Sequence, residues 1–183
     1  MQAGLRTLRL LYELWGLLLM SELAELLERF RRGAELLAVA TTGAAGPELD
    51  FKPGENKWSV RQIACHLADA EAVGVMRFRQ LIAEDNPTMA AWNQEAWAAN
   101  LDYSKRKISQ VIETFRMLRF ANYELLKDQP VQVFERRGTH AVRGPMTLLQ
   151  MLRMYAEHAE NHVKQIQGVR AVFKEQKARQ AAR

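Results

Sequence analysis

Cysteine is nearly absent from this 183-residue chain, since Cys65 stands alone. No intramolecular disulfide can form, and the usage fits a reducing, cytoplasmic setting. A long hydrophobic run is lacking too. Leu10-Leu11-Tyr12-Glu13-Leu14-Trp15-Gly16-Leu17-Leu18-Leu19 follows Arg6 and Arg9, as in a signal peptide. Glu13 breaks the run, no small-residue cleavage site follows, and its length falls short of the ~20 apolar residues that span a bilayer. Residues 1–19 are therefore expected to be a helical extension, with Met20-Ser21-Glu22 reading as an alternative start. There is also little excess of one charge: 26 basic and 21 acidic residues leave +5. Much of that sits near the end, where Lys164, Arg170, Lys174, Lys177, Arg179 and Arg183 meet only Glu175. No aromatic residue follows Phe173 to stack on bases, so the basic tail reads as a solvated helix end and no nucleic-acid partner is expected.

What is present is ordinary globular material. Hydrophobic residues make up 48% and charged residues 26%, enough for one core at a length typical of one domain. The division expected is an extension over 1–19, a helical domain over 20–175 and a basic tail over 176–183.

Helical periodicity organises the domain. From Ser21 to about Ala40, Leu23, Leu26, Leu27, Phe30, Leu37 and Val39 recur at mostly helical spacing before Thr41-Thr42-Gly43 ends the run. A second helix starts at Ser59, whose side chain with that of Gln62 matches a capping box, and stops before Asp85-Asn86-Pro87. Thr88 to Tyr103, carrying Trp92 and Trp97, reads as an irregular crossover. A third helix is expected from Ser104 to about Lys127, with Ile108, Val111, Ile112, Phe115, Leu118 and Leu125 as its core stripe. Between Gln129 and Pro145, the loose alternation of Val131, Val133 and Phe134 before Gly138 suggests a small hairpin or extended loop. Thr147 and Gln150 repeat the capping box for a fourth helix through Val172. Long helices joined by loops and one crossover define an all-α four-helix bundle.

Chemistry concentrates in the histidines. His158 and His162 stand one turn apart on the fourth helix, so both imidazoles project from one face. Met151, Met154, Tyr155, Ala159, Ile166 and Val169 share or adjoin that face, which points it inward. His66 lies on the inward side of the second helix with Ile63, Leu67 and Ala70. Two readings fit. The histidines hold an ion between facing helices, or they are buried and hydrogen-bonded to carbonyls or to Asp69, Glu160 or Gln165. His140, near Gly138 and Gly144, reads as a surface or loop-anchoring residue. Cys65 is rotated about 100° from His66 and reads as a small buried residue. Asp69, one turn after His66, is expected to brace an imidazole, whereas Glu71 points too far round the helix. The zincin pattern is missing, because Glu160 in His158-Ala159-Glu160-Asn161-His162 is one position late. The di-iron Glu-x-x-His pattern is missing as well: Tyr155 precedes His158 by three and Ile63 precedes His66 by three. Any site is then mononuclear.

The stretch Trp58-Ser59-Val60-Arg61-Gln62-Ile63-Ala64-Cys65-His66-Leu67-Ala68-Asp69-Ala70-Glu71, with the later Tyr155-Ala156-Glu157-His158-Ala159-Glu160-Asn161-His162-Val163-Lys164-Gln165-Ile166, resembles the DinB/YfiT-like superfamily. The likeness covers roughly residues 20 to 170 and includes the Gly144-Pro145-Met146-Thr147-Leu148 approach to the last helix. It implies a divalent ion, nickel or zinc above all, with His66, His158 and His162 as ligands. It further implies a metal-dependent enzyme on small electrophilic substrates, a thiol S-transferase with bacillithiol- or mycothiol-like cosubstrate or a hydrolase, and a homodimer. No catalytic residue beyond the ligands is singled out. The alternative class is a non-catalytic bundle whose ion or pocket is structural or regulatory.

Overall fold

The structure, a computed structural model, describes the backbone of residues 2–182 and the side chains of residues 20–182. Its long helices are α1 (Gln2–Thr41), α3 (Val60–Ala83), α5 (Ile108–Lys127) and α6 (Leu148–Ala181). Short helices α2 (Pro47–Asp50) and α4 (Gln94–Asn100) lie in the connections. Strands β1 (Thr88–Met89), β2 (Arg137–His140) and β3 (Gly144–Thr147) form a small sheet in that order. The side chains of the expected 1–19 extension lie outside the described residues. Among the described residues, no helix is long and apolar enough to cross a membrane.

Both capping boxes form. Ser59 accepts from the Gln62 backbone N–H while Gln62 accepts from the Ser59 N–H, and Thr147 and Gln150 make the same reciprocal pair. These devices satisfy N–H groups that the first helical turn leaves free, so they fix where α3 and α6 begin. At the other end of α1, the Thr41 hydroxyl bonds back to the carbonyls of Leu37 (2.8 Å) and Ala38 (3.1 Å). Gly43 then takes φ 74°, in the left-handed region that favours glycine.

The long helices pack in the cyclic order α1, α5, α3, α6, so α1 and α3 are diagonal, as are α5 and α6. Helices consecutive in the chain are therefore not always neighbours in space. The consequence for function is that α3 lies directly against α6. The core falls into two clusters along the bundle. One gathers Leu37, Val60, Ile63, Leu67, Phe115, Val163 and Ile166, the other Leu26, Phe30, Phe78, Leu81, Leu126, Leu148 and Leu152.

Between the clusters runs a polar layer that periodicity did not reveal. Arg119 and Glu71, each 1% exposed, form an ion pair at 2.6 Å, and Asn122 donates to the second Glu71 oxygen at 3.0 Å. Arg119 also donates to the carbonyls of Phe30 (3.1 Å) and Tyr155 (3.2 Å). Its guanidinium lies over the rings of Phe30 and Phe115, so its charge is met on every side. This corrects the expected α5 stripe. Leu118 and Leu125 are only partly buried, and Arg119, Asn122 and Leu126 take the inward positions.

Four smaller corrections follow. Val39 is 70% exposed, because the α1 stripe moves round to Leu37 and Ala40. Val131–Glu135 is a 3-10 turn, with Phe134 buried, and the hairpin starts only at Arg137. The crossover contributes β1, which pairs in parallel with β2 through Thr88 to Thr139 and Met89 to His140. Helix α6 also outruns Val172, reaching Ala181.

Candidate metal centre

Because α3 packs on α6, His66 meets His158 and His162. The Nε2 of His158 lies 3.1 Å from the Nε2 of His66 and 3.1 Å from the Nε2 of His162. One ring nitrogen from each lies within 4.8 Å of the others, with His66 buried and the other two half-buried. Periodicity placed His158 and His162 together, and helix packing supplies the third.

The protonation of this cluster can be worked out from its partners. His162 Nδ1 is 2.7 Å from Gln165 Oε1, an acceptor, so the ring proton sits on Nδ1 and Nε2 presents a lone pair. His158 Nε2 then faces two like nitrogens, and a neutral ring with one proton or one lone pair there cannot satisfy both. His66 Nδ1 is buried and has no partner among the described residues. Charging the rings is no remedy. Burial pulls the pKa of His66 down to about 4, with His162 adding repulsion, and burial and both other histidines pull His158 down to about 3. Burial lowers His162 as well. The result is three neutral imidazoles with converging nitrogens.

The two separations through His158 fit a divalent ion. Two imidazole nitrogens 3.1 Å apart, each about 2.0–2.1 Å from one ion, subtend roughly 100° there, within the range of tetrahedral and more open geometries. Gln165 fixes the His162 tautomer in the manner of an outer ligand partner. Among the described residues, the hydrogen-bonded reading is met only there, through Gln165. Glu160 instead pairs with Arg29 at 2.8 Å.

Asp69 does not brace an imidazole. It accepts a hydrogen bond from the Tyr103 hydroxyl, on the side of α3 turned towards the crossover. Cys65 is 3% exposed, and burial, with Asp69 nearby, pushes its thiol up to about 12. It stays a neutral packing residue whose Sγ approaches the Tyr103 carbonyl at 3.9 Å.

The crossover and the hairpin supply walls that sequence reasoning passed over. Trp92 stacks on His66, with ring centres 5.5 Å apart and planes 20° from parallel, while Trp58 meets the same ring edge-on at 4.9 Å. Trp97 backs Trp92 at 4.7 Å. His140, far from being a surface residue, is 7% exposed. Its Nδ1 accepts from the backbone N–H groups of Val142 (3.2 Å) and Arg143 (3.3 Å), so the loop-anchoring role is real and the proton lies on Nε2. His66, His140, His158, Trp92 and Tyr155 together line a cavity of about 480 Å³. His158 also opens on a second cavity of about 440 Å³ along the outer side of α6. The signal for Trp92 was only its aromatic type inside an irregular segment.

Fold and site together define a four-helix bundle that gathers histidines from two facing helices beside a cavity. The family profile of the DinB superfamily matches residues 22–166, and the chain belongs to that superfamily. A protein of Halalkalibacterium halodurans, named by inference a metal-dependent hydrolase, is 29% identical over 62% of this chain and 66% of its own length. A second, of Oceanobacillus iheyensis and named in the same way, is 28% identical over 65% of this chain and 69% of its own. Among solved structures, YfiT from Bacillus subtilis superimposes with a TM-score of 0.76 at 23% identity, over 80% of this chain and 85% of that one. It is described, again by inference, as a metal-dependent hydrolase with an unusual four-helix bundle topology.

Proposed function

We propose that this chain is a divalent-metal-dependent enzyme that activates a water or a small thiol for attack on a small electrophilic substrate. His66, His158 and His162 are the ligands in this reading. These three neutral imidazoles would hold the ion, which would lower the pKa of a water or thiol and so supply hydroxide or thiolate near neutral pH. The observation that carries the reading is the convergence of three Nε2 atoms whose mutual hydrogen bonding cannot be satisfied.

The surrounding side chains set the conditions. Trp58 and Trp92 cover His66 on two sides and keep bulk water from it. Gln165 holds His162 with its lone pair towards the cluster. His140, kept neutral by burial and by the nearby Arg77 and Arg143, carries its proton on Nε2 and can donate to a substrate oxygen. Hydrolysis is what the names of the relatives favour. Thiol S-transfer uses the same first step, ionisation of the nucleophile.

Metal analysis of protein purified after nickel or zinc supplementation tests the centre. One equivalent in the wild type, lost in His158→Ala, is expected; no stoichiometric metal under any supplementation overturns the proposal. Conjugation of monochlorobimane with glutathione, bacillithiol, mycothiol or coenzyme A, set beside an ester and amide hydrolysis screen, separates the two reactions. Turnover in either must exceed the His158→Ala background.

A further inference from the structure

The cavity beside the histidines contains a buried cation that no described carboxylate neutralises. Arg77, on α3, is 6% exposed. Its Nη2 donates to the Ala90 carbonyl at 2.8 Å and its Nη1 to the Tyr155 hydroxyl at 3.4 Å, while Nε has no partner among the described residues. The contrast with Arg119 is direct, since that buried arginine has Glu71 at 2.6 Å. A guanidinium withdrawn from water is costly to keep unless a counter-charge meets it.

The rest of the cavity has the same sign. Arg143 stands at its rim, Asn93, Gln94 and His140 add polar groups to the wall, and no aspartate or glutamate lines it. A pocket with a positive wall and a low-dielectric lining of Trp92, Met154 and Tyr155 concentrates anions. The planar guanidinium fork matches a carboxylate in shape, and one buried positive charge is balanced by one negative charge. A phosphate dianion would find its second cation only in the exposed Arg143.

We propose that Arg77 receives the carboxylate of the substrate, so that the molecule processed at the histidines is a small organic acid. Its carboxylate sits against Arg77 and its reacting group lies towards His66 and His158. What happens at the histidines rests on the metal-enzyme reading above, but anion binding at Arg77 does not.

Titration calorimetry on the full chain, metal-loaded and chelator-treated, tests this with benzoate, phenylacetate and hexanoate against their uncharged amides. At least one carboxylate is expected to bind about tenfold or more tightly than its amide, and Arg77→Gln is expected to abolish that preference. Should Arg77→Gln not fold, Arg77→Lys carries the same test: it keeps the charge without the fork, so carboxylate affinity falls while some preference remains. The proposal is overturned if the wild type shows no preference for any carboxylate over its amide. It is equally overturned if folded Arg77→Gln keeps the preference, or if Arg77→Lys binds carboxylates as the wild type does. Phenyl phosphate binding about tenfold more tightly than every carboxylate would also overturn it, in favour of a phosphate site. Metal content of the same samples separates the two readings. Carboxylate preference without stoichiometric metal upholds the anion site and sinks the metal enzyme, and stoichiometric metal without preference does the reverse.

Discussion

Gln165 Oε1 lies 2.7 Å from His162 Nδ1, and this one contact decides which ring nitrogen of His162 carries the proton. Remove the acceptor and both tautomers become available, so part of the population turns an N–H on the ion. Gln165→Leu is therefore expected to weaken metal affinity by about 10–100-fold, the range found for outer partners of ligating histidines. Gln165 is exposed, so the thermal midpoint of the metal-free protein should hardly change. Competition against a chromogenic chelator measures the affinity. Unchanged affinity would mean that the tautomer is set elsewhere.

The depressed histidines make the metal-free protein acid-sensitive. Folded pKa values of about 4 for His66 and about 3 for His158 lie below the unfolded value near 6.5. Between these limits the unfolded chain binds more protons, so stability rises with pH from about 4 to 6.5 and levels off above 7. At pH 5 each of the two histidines should cost on the order of 1–2 kcal/mol relative to pH 7.5. Urea midpoints at the two pH values measure the effect, and a His66→Gln/His158→Gln double variant should lose most of the difference. A double variant with an undiminished slope would place the acid sensitivity on other groups.

Arg119 and Glu71 make a different case, because their charges are fully buried and matched. Glu71→Ala leaves a guanidinium uncompensated among Phe30 and Phe115, and a loss of about 3–5 kcal/mol is expected by urea denaturation. Gly33 guards the same group. A Cβ at Gly33 would stand 2.3 Å from Arg119 Nη1, which its hydrogen bonds to Glu71, Phe30 and Tyr155 keep from moving aside. Gly33→Ala should thus destabilise the protein, although alanine is ordinarily the better residue in mid-helix. A Gly33→Ala variant as stable as the wild type would show that the layer can yield.

How far this fold can be read from sequence depends on what each residue has to satisfy. Ser59 with Gln62 and Thr147 with Gln150 act within a few residues, so the starts of α3 and α6 were legible from local chemistry alone. His158 and His162 share a face for the same local reason. His66 joins them only because α3 packs on α6, a fact of topology that helical spacing does not encode; its place came from the family resemblance. Arg119 and Asn122 were hidden because a polar residue on an amphipathic stripe reads as solvent-facing until its partner on another helix is known. His140 and Trp92 reach the cavity through the β1–β2 pairing, and two-residue strands such as Thr88–Met89 carry no periodic signal.

Asp69 offers the sharpest check on that topology. Its spacing after His66 predicts a partner for the imidazole, yet its carboxylate accepts from the Tyr103 hydroxyl, which burial and Asp69 hold protonated by raising its pKa. The contact ties the 3-10 turn at Tyr103–Lys105 to α3 and leaves His66 Nδ1 without it. Asp69→Asn should therefore leave metal stoichiometry and affinity as they are in the wild type. Its cost should fall on stability, about 1–2 kcal/mol for a charge-assisted hydrogen bond made neutral, and Tyr103→Phe should lose a similar amount without adding to it in the double variant. Chelator competition and urea denaturation on the three variants measure both quantities. A tenfold or greater fall in metal affinity for Asp69→Asn, with stability unchanged, would return Asp69 to the imidazole and overturn its assignment to Tyr103.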